Sequence, residues 1–213
     1  MRCGLPFASP HALDAMEPEC GACRAEEPPF ACVRSFGLYT GKLRQLVLRL
    51  KFGGEEQLGV RLGELLAGTW DSMPGERAPG EILVVPVPLH ASRRRERGFN
   101  QSELLAAGLV RALARRKNGI APHVVKGCLR RLRATPPQTG LSVAARRENL
   151  RGAFAVPDPA VIEGRTLVLI DDVMTTGATL SACARVLHRA GAARVLGLTL
   201  ARATPLFPDH ATV

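Results

Sequence analysis

Two adjacent acidic residues followed by a hydroxyl-rich turn form the segment of this 213-residue chain that is best suited to chemistry. Asp171 and Asp172 come directly after the apolar run at residues 167–170, and three threonines lie within residues 173–179. Paired carboxylates accept hydrogen bonds from vicinal hydroxyls and tolerate a divalent cation. Hydroxyls and backbone N–H groups at a helix start bind phosphate, and Gly177 allows the backbone to approach it closely. The segment therefore predicts a site for a sugar that carries a phosphate.

The sequence on either side predicts a strand, a helix and a second strand, which place this segment at the edge of a sheet. Residues 165–170 predict a buried strand, because they contain the short continuous apolar run at residues 167–170. Residues 177–190 have the apolar spacing of a helix that ends at Gly191, and residues 193–200 predict the next strand. Ligands of parallel sheets bind at the carboxyl ends of the strands.

Alternating strands and helices along most of the remaining chain predict an α/β fold, with a largely parallel sheet flanked by helices. Apolar residues at helical spacing alternate with short continuous apolar runs, and glycine or proline separates them. We predict helices over residues 40–53, 58–66, 101–117 and 142–150, and strands over residues 82–85, 123–129 and 153–156.

A cluster of arginines after the predicted strand at residues 82–85 forms a second candidate binding segment. Guanidinium groups bind phosphate oxygens through paired hydrogen bonds, and a helix that starts near residue 100 offers further donors. The segment predicts a pyrophosphate site opposite the acidic pair, and the alternative is a solvated basic turn. The residues that we assign to this site are Pro88, Leu89, His90, Arg93, Arg97, Asn100 and Gln101. Among them, Arg93 and Arg97 are the candidate catalytic residues, because they are placed to stabilise a departing pyrophosphate.

The segment from Asp171 to Thr179 closely resembles the phosphoribosyl pyrophosphate (PRPP) motif of the type I phosphoribosyltransferases. The resemblance implies that Asp171 and Asp172 bind the ribose 2′ and 3′ hydroxyls and that the following loop cradles the 5-phosphate. Purine-type members often carry an acid at the position of Thr175. Because threonine exchanges no protons near neutral pH, a standard purine salvage enzyme is disfavoured. The implied phosphate-loop residues are Thr175, Thr176, Gly177, Ala178 and Thr179.

Several further strings resemble the ComF family in their order along the chain. They occupy residues 39–41, 50–54, 85–90, 97–101, 135–141 and 146–149. The resemblance implies a small zinc-ribbon-like segment over residues 1–34 and a type I phosphoribosyltransferase-like domain over residues 35–213. It also implies a link to DNA uptake in natural competence. A mobile loop that covers the substrate would include Gln138, Arg146 and Arg147.

Four of the six cysteines lie in the first 32 residues, in a pattern that indicates metal binding. Cys20 and Cys23 have the spacing of a zinc knuckle, and Cys3 fits the second half of another. The family pattern has its fourth ligand three residues before Cys3, so we expect that the chain begins short of it. Within the chain, Cys32 or His11 is the substitute. The candidate zinc ligands are therefore Cys3, Cys20, Cys23 and Cys32.

Basic residues are concentrated in the centre of the chain. The net charge is +10, and residues 93–151 contain 15 lysines and arginines against three acids. Such a block suits a polyanion, either a phosphorylated small molecule or nucleic acid. The chain contains only nine aromatic residues. This scarcity weighs against a nucleic-acid surface, because single strands normally stack on several exposed aromatic side chains.

The composition is that of a folded protein without a membrane span. Hydrophobic residues make up 46% of the chain, which supports a substantial core and excludes a disordered or fibrous protein. No apolar run approaches the roughly 20 residues that cross a bilayer, and the N-terminus lacks a secretory signal. We therefore expect a cytoplasmic protein with reduced cysteines, in which Cys128 and Cys183 are buried, inert thiols.

Two functional hypotheses follow from these observations. The first is an enzyme that binds PRPP with Mg²⁺ and transfers its phosphoribosyl group to an acceptor that the sequence does not identify. The second keeps the binding site without the reaction: a competence protein that senses PRPP or handles single-stranded DNA together with other competence-machinery proteins.

Overall fold

A five-stranded sheet forms the centre of the computed structural model. The structure describes residues 2–6, 20–74, 82–116, 122–134, 145 and 148–204. The sheet contains β1 (Cys32–Leu38), β2 (Ile82–Pro86), β3 (His123–Val124), β6 (Thr166–Met174) and β7 (Arg194–Arg202), and a separate antiparallel pair contains β4 (Arg130–Arg131) and β5 (Phe154–Ala155). The strand order is β1-β7-β6-β2-β3, and every neighbouring pair is parallel. This arrangement confirms the predicted α/β fold with a largely parallel sheet.

Helices cover both faces of the sheet. Those within the described residues are α1 (Gly21–Ala25), α2 (Gly41–Phe52), α3 (Glu56–Asp71), α4 (Ala91–Arg97), α5 (Gln101–Ala114) and α6 (Ala178–Arg189), and a 3₁₀ turn spans Pro159–Val161. Successive strand side chains point to opposite faces. In β6, Leu167 and Leu169 pack in the core that contains α6, whereas Val168 and Ile170 pack in the core that contains α2, α3 and α5. Burial on both faces explains why the central strands are continuous apolar runs.

The packing of α3 against α5 depends on glycines. A Cβ atom at Gly108 would lie 2.0 Å from the carbonyl oxygen of Val60, and one at Gly63 would lie 2.2 Å from that of Leu105. Both distances are far below van der Waals contact, so only glycine permits this close approach. The two helices therefore pack backbone to backbone.

Most predicted elements are present, and two predictions differ from the structure. The predicted strand at residues 123–129 is wrong beyond Val124, because Gly127 adopts a left-handed conformation (φ +81°) and redirects the chain into β4. The predicted strand at residues 165–170 continues to Met174, so the acidic pair lies within β6 and not after it. The predicted helix at residues 142–150 lies largely outside the described residues.

The strand β1 forms one edge of the sheet and is not predicted from the sequence. β1 pairs with β7 from Cys32 to Leu38 and thus crosses the position, between residues 34 and 35, at which we divided the chain. On its other side, the Val33 N–H donates to the carbonyl oxygen of Arg2 at 2.6 Å. Arg2 therefore lies beside the edge of the sheet.

In the part of the chain that the structure describes, no helix combines the length and the apolar character that crossing a membrane requires.

The close contact between α3 and α5 predicts opposite effects of two Gly→Ala substitutions. We expect Gly108→Ala to lower the free energy of unfolding by about 1–3 kcal/mol, because the added methyl group overpacks the contact with Val60. Gly68→Ala, at an open position of α3, should raise it by up to about 1 kcal/mol through higher helix propensity. Denaturant unfolding measures both values, and stabilisation by both substitutions would contradict the close packing.

Candidate functional site

The candidate site lies at the carboxyl edge of the sheet, where β2 and β6 are neighbours. From β2 the chain continues through α4 and α5 to β3, whereas from β6 it continues through α6 to β7, in the opposite direction along the sheet. The helices α5 and α6 also belong to opposite cores. Where connections diverge in this way they leave a crevice above the strand ends, which is the usual ligand position in open α/β sheets.

The acidic pair occupies this crevice from the side of β6. The Asp171 carboxylate accepts hydrogen bonds from the Asp172 backbone N–H at 2.9 Å and from the Ser102 hydroxyl at 3.3 Å. Asp172 forms an ion pair with Lys51, whose Nζ lies 3.2 Å from its Oδ1. The two side chains of this ion pair are only 13% and 21% exposed. The structure thus joins β6, α5 and α2 around the two carboxylates.

The environment of Asp171 opposes its ionisation. Burial, followed by the negative charge of Asp172, raises the pKa of Asp171 to about 7. The Asp172 N–H, the positive charge of Lys51 and the hydroxyl of Ser102 act in the opposite direction. Because these groups only partly compensate, the folded chain holds a proton on this carboxyl more tightly than an unfolded chain does.

The loop after β6 has the form predicted for a phosphate site. Thr175 and Thr176 are exposed at the edge of the sheet, and Gly177 has φ +80°, a left-handed conformation that favours glycine. The Ala178 N–H, at the start of α6, donates to the Thr176 hydroxyl at 3.4 Å. The loop therefore carries exposed threonines beside the amino end of a 12-residue helix, which is the kind of position that binds anions. Thr179, half-buried in the first turn of α6, lies beside them.

A buried arginine on β7 fixes the beginning of this loop. Arg202 is 7% exposed, and its Nη1 donates to the carbonyl oxygens of Met174 and Ala203 at 2.9 and 3.0 Å, and also to that of Thr175. This role of Arg202 is not predicted from the sequence. An arginine at the end of an apolar strand was its only signal.

The arginine segment forms the helix α4, in which the arginines differ in burial from one face of the helix to the other. Arg93 and Arg97, four residues apart, are half-buried, whereas Arg94 is exposed and pairs with Glu103 at 2.6 Å. The Arg97 guanidinium lies 5.4 Å from the ring centre of Phe52. Burial lowers the pKa of Arg97, and the negative charge of Asp172 opposes that effect, so the two groups share one electrostatic environment.

The other residues assigned to the pyrophosphate segment surround α4. His90, with Pro88 and Leu89 half-buried before it, caps α4 by accepting from the Ser92 N–H at 3.2 Å. Asn100 is buried and supports the loop, since its Nδ2 donates to the Val87 carbonyl at 3.0 Å. Gln101 is also buried, and its amide nitrogen has no hydrogen-bond partner among the described residues.

A third arginine, Arg131 on β4, also belongs to this region. Its guanidinium lies 5.5 Å from the ring centre of Phe154. Burial lowers the pKa of Arg131, the positive charge of Arg93 lowers it further, and the negative charge of Asp171 raises it. Sequence reasoning identified neither Arg131 nor Lys51 as a site residue. The predicted mobile-loop residues Gln138, Arg146 and Arg147 lie outside the described residues.

Three of the predicted zinc ligands form a compact cluster. The Sγ atoms of Cys3, Cys20 and Cys23 all lie within 4.8 Å of one another, and the Cys3 and Cys20 sulfurs are 3.4 Å apart. Burial raises the pKa of Cys23 to about 12. At Cys20, hydrogen bonds from the Cys23 backbone, Cys3 and Ala22 outweigh the effect of burial and lower the pKa of the thiol. The cluster is a candidate metal site, because thiolates are metal ligands.

Cys32 does not join this cluster. It lies on β1 with its side chain in the core of α2, α3 and α5, whereas its neighbour Val33 packs in the same core as Cys3 and Cys23. Adjacent strand residues face opposite sides of a sheet, so the position of Cys32 directs it away from the other thiols. The second substitute ligand, His11, lies outside the described residues.

Comparison with known proteins agrees with this arrangement. The family model for the phosphoribosyl transferase domain matches residues 102–205, which include the acidic pair and the phosphate loop. The DNA utilization protein YhgH of Salmonella typhimurium is 36% identical over 203 residues, which cover 91% of this chain and 79% of that protein. Competence protein F of Haemophilus influenzae is 32% identical over 189 residues, covering 86% of this chain and 78% of that protein. Competence protein ComFC of Bacillus subtilis is 29% identical over 170 residues, covering 79% and 63%.

The fold and the site thus define a protein with a phosphoribosyltransferase-type domain. The similarity to the relatives extends over most of the chain and identifies the family within this class of proteins. The chain belongs to the ComF family of phosphoribosyltransferase-like proteins.

The raised pKa of Asp171 predicts a stability cost that depends on pH. An acid with a folded-state pKa near 7 and an ordinary pKa of 3.8 loses its proton first in the unfolded state, so stability falls as pH rises from about 4 to 7. We expect Asp171→Asn, which removes the charge, to be more stable than the parent by about 1 kcal/mol or more at pH 8. The difference should shrink at pH 4. Denaturant unfolding at both pH values measures it.

The control is Asp71→Asn, which removes an exposed carboxylate paired with Arg116. Its effect should stay below about 1 kcal/mol at both pH values, as for surface ion pairs generally. Destabilisation by Asp171→Asn at pH 8 would show that the ionised carboxylate stabilises the fold.

Proposed function

We propose that this chain binds PRPP together with Mg²⁺ at the carboxyl edge of its sheet and that it acts in the handling of DNA during uptake. The observation that supports the proposal is the position of the acidic pair at the end of β6, directly before residues 175–179. The pair contacts α5 and α2 there and shares its electrostatic environment with Arg97 of α4. The names of the competence relatives support the role in DNA uptake.

Each part of the crevice suits one part of the donor. Asp171 and Asp172 accept hydrogen bonds from the ribose hydroxyls, and the loop from Thr175 to Thr179 binds the 5-phosphate. On the other side of the crevice, the loop at residues 88–90 and the arginines Arg93 and Arg97 hold the pyrophosphate. The buried amide nitrogen of Gln101 is a donor that a bound oxygen atom would satisfy.

The acidic pair also fits the requirements of a magnesium complex. Mg²⁺ prefers oxygen ligands and usually reaches proteins together with substrate phosphates, held by one or two carboxylates. Asp171 and Asp172 supply carboxylate oxygens beside a crevice that favours phosphate. When bound, the ion neutralises part of the pyrophosphate charge.

Phosphoribosyl transfer is the reaction that this arrangement supports. An acceptor forms a bond to the anomeric carbon while the bond from that carbon to pyrophosphate breaks, and the acceptor releases its proton to solvent. Arg93 and Arg97 then stabilise the negative charge that accumulates on the departing pyrophosphate. Thr175 supplies no acid or base near neutral pH, so catalysis rests on positioning and charge stabilisation.

The second candidate function is that of a binding protein without transfer activity, which would sense PRPP or handle single-stranded DNA. The ion pairs of the basic central block weigh against DNA binding at its surface. In the basic central block, Arg94 pairs with Glu103, Arg111 and Arg115 pair with Glu64, and Arg116 pairs with Asp71. Each nearby carboxylate weakens the attraction of these arginines for a polyanion. The structure therefore favours the crevice, where Arg93 and Arg97 lie, over the outer surface of α5 as the anion site.

The cysteine cluster is a separate structural site. We propose that Cys3, Cys20 and Cys23 bind a structural Zn²⁺, since the distances between their sulfurs suit ligands of one ion. Structural zinc is almost always four-coordinate, so a further group completes the tetrahedron.

The donor-binding proposal predicts that the loss of one carboxylate weakens PRPP binding. We expect the parent chain to bind PRPP in the presence of Mg²⁺ by isothermal titration calorimetry, and Asp171→Asn to weaken binding at least tenfold, because the amide cannot replace the carboxylate as a double acceptor. Asp71→Asn, the matched exposed substitution, should leave the affinity unchanged. Equal affinity of Asp171→Asn and the parent would refute this site. Pyrophosphate release with candidate acceptors then separates transfer from binding alone.

The zinc proposal predicts that the zinc content of the protein depends on the clustered thiols and not on the cysteines outside the cluster. We expect the purified chain to contain zinc by elemental analysis, and Cys23→Ser to lower the zinc content and the midpoint temperature of unfolding. Cys128→Ala, at a buried cysteine outside the cluster, should leave the zinc content unchanged. Equal metal content in all three proteins would contradict the assignment.

A further inference from the structure

The ion pair between Lys51 and Asp172 differs from the ion pairs on the outer surface of the protein. The Lys51 Nζ lies 3.2 Å from the Asp172 Oδ1, and the two side chains are only 21% and 13% exposed. In the ion pairs of the basic central block, by contrast, the arginine is 42–59% exposed. Water and salt screen an ion pair less when its groups are withdrawn from solvent. The attraction between Lys51 and Asp172 is therefore screened less than that of the surface pairs.

Lys51 acts on both acids from the last turn of α2. Its ammonium contacts Asp172, and its positive charge also lowers the pKa of Asp171. Arg97 and Arg131 influence the two acids through their charge, whereas Lys51 touches one of them directly. The ammonium of Lys51 is thus a counter-ion in contact with the acidic pair.

An ammonium group and a divalent cation compete for the same carboxylate oxygens. The ammonium is a compact positive charge with three donors and no acceptor, so it neutralises a carboxylate but offers no ligand atom to a metal ion. Mg²⁺ binds proteins through one or two carboxylates, and its other ligands are waters or substrate phosphates. A free divalent ion that approaches Asp172 would meet the positive charge of Lys51 at short range, and this repulsion opposes its binding.

A ligand that carries phosphate changes this competition. Its phosphate oxygens accept charge-assisted hydrogen bonds from an ammonium group, as a carboxylate does, so Lys51 can exchange Asp172 for the ligand without losing a partner. Phosphate oxygens are also ligands of the divalent cation, which therefore arrives with them. The carboxylate oxygens of the acidic pair become available to the cation when Lys51 releases Asp172.

We infer that Lys51 is the resident counter-ion of the acidic pair, which keeps a free divalent cation away from Asp172 and releases this carboxylate only to a ligand that carries phosphate. This inference rests on the proposed PRPP site and adds an order of binding to it: the divalent cation enters with the phosphorylated ligand and not before it. Lys51 is a positioning residue in this scheme, because it acts through Asp172.

Binding of Mn²⁺ alone tests the exclusion of the free ion. Mn²⁺ favours the same oxygen ligands as Mg²⁺, and electron paramagnetic resonance measures its free concentration. We expect the parent chain to bind Mn²⁺ weakly, and Lys51→Met, which removes the charge, to bind it about tenfold more tightly or better. Lys51→Arg keeps the charge and should behave like the parent chain. Lys42→Met removes an exposed lysine from the first turn of the same helix and should leave the Mn²⁺ affinity unchanged.

A second titration, with PRPP present at equal concentration, measures the release of Asp172. In the parent chain PRPP should raise the affinity for Mn²⁺ by about tenfold or more, since the two ligands are coupled through Lys51. In Lys51→Met the rise should be smaller, because the free ion is no longer excluded beforehand. The double variant Lys51→Met/Asp172→Asn should lose the gain in Mn²⁺ affinity that Lys51→Met shows alone.

The outcomes separate the role of Lys51 from the site on which it depends. Equal affinity of Lys51→Met and the parent chain for Mn²⁺ would overturn the counter-ion role, with circular dichroism as the check that the variant folds. Binding of Mn²⁺ by the parent chain as tightly without PRPP as with it would overturn the same role and needs no variant. A parent chain that does not bind PRPP in calorimetry would overturn the proposed PRPP site, whereas a gain in Mn²⁺ affinity in Lys51→Met would still support exclusion of the free ion.

Discussion

The main physical constraint on the candidate site is the free-energy cost of holding two carboxylates side by side at the end of β6. Burial and mutual repulsion raise the pKa of Asp171 to about 7, so the pair carries its charge at the expense of the fold. Cations from separate elements partly offset this cost: Lys51 from α2, Arg97 from α4 and Arg131 from β4. A ligand whose hydroxyls donate hydrogen bonds to both acids would lower the same cost, and this gain in free energy would favour ligand binding.

The parallel sheet explains how distant segments reach these acids. A helix that follows a strand of a parallel sheet starts near the carboxyl end of that strand, so α4 after β2 and α6 after β6 both begin at this edge. Lys51, in the last turn of α2, reaches the same edge through its ion pair with Asp172. The phosphate loop is fixed on this edge by Arg202, which donates to successive carbonyl groups at the end of β6. These hydrogen bonds hold the start of the loop in one position, and such pre-organisation would lower the entropic cost of binding the proposed phosphate.

The sequence predicts the parts of this site whose signals are local. An apolar run followed by two acids, threonines and glycine lies in one continuous segment. The structure places that segment across the end of β6, the following loop and the start of α6, with the acidic pair inside the strand and not after it. Lys51, Arg131 and Arg202 escape prediction because their roles arise from contacts between elements far apart in the chain. A lysine near the end of an amphipathic helix has the same pattern whether it faces solvent or a carboxylate.

The same distinction explains the errors at the margins of the sheet. β1 contains Arg34, Ser35 and Gly37, so as an edge strand it lacks the continuous apolar run by which β2 and β6 are recognised. Cys32 entered the candidate metal set because it is close in sequence to the other cysteines. On β1, however, the side chain of Cys32 points into the core on the other face of the sheet. The register of the strand decides which face a side chain occupies, and the sequence spacing of the cysteines does not reveal it.

The N-terminal segment is connected to the phosphate loop through a shared core. Cys3, Cys23 and Phe30 pack in the same cluster as Met174, Ala178 and Leu180, which lie directly before and within the start of α6. Glu26 also pairs with Arg185 on α6 at 3.2 Å. A segment with so few apolar residues cannot form a core of its own, so the thiol cluster is the feature best able to fix its shape. Because these residues share one core with the start of α6, a change in the thiol cluster is expected to alter the packing beneath the loop.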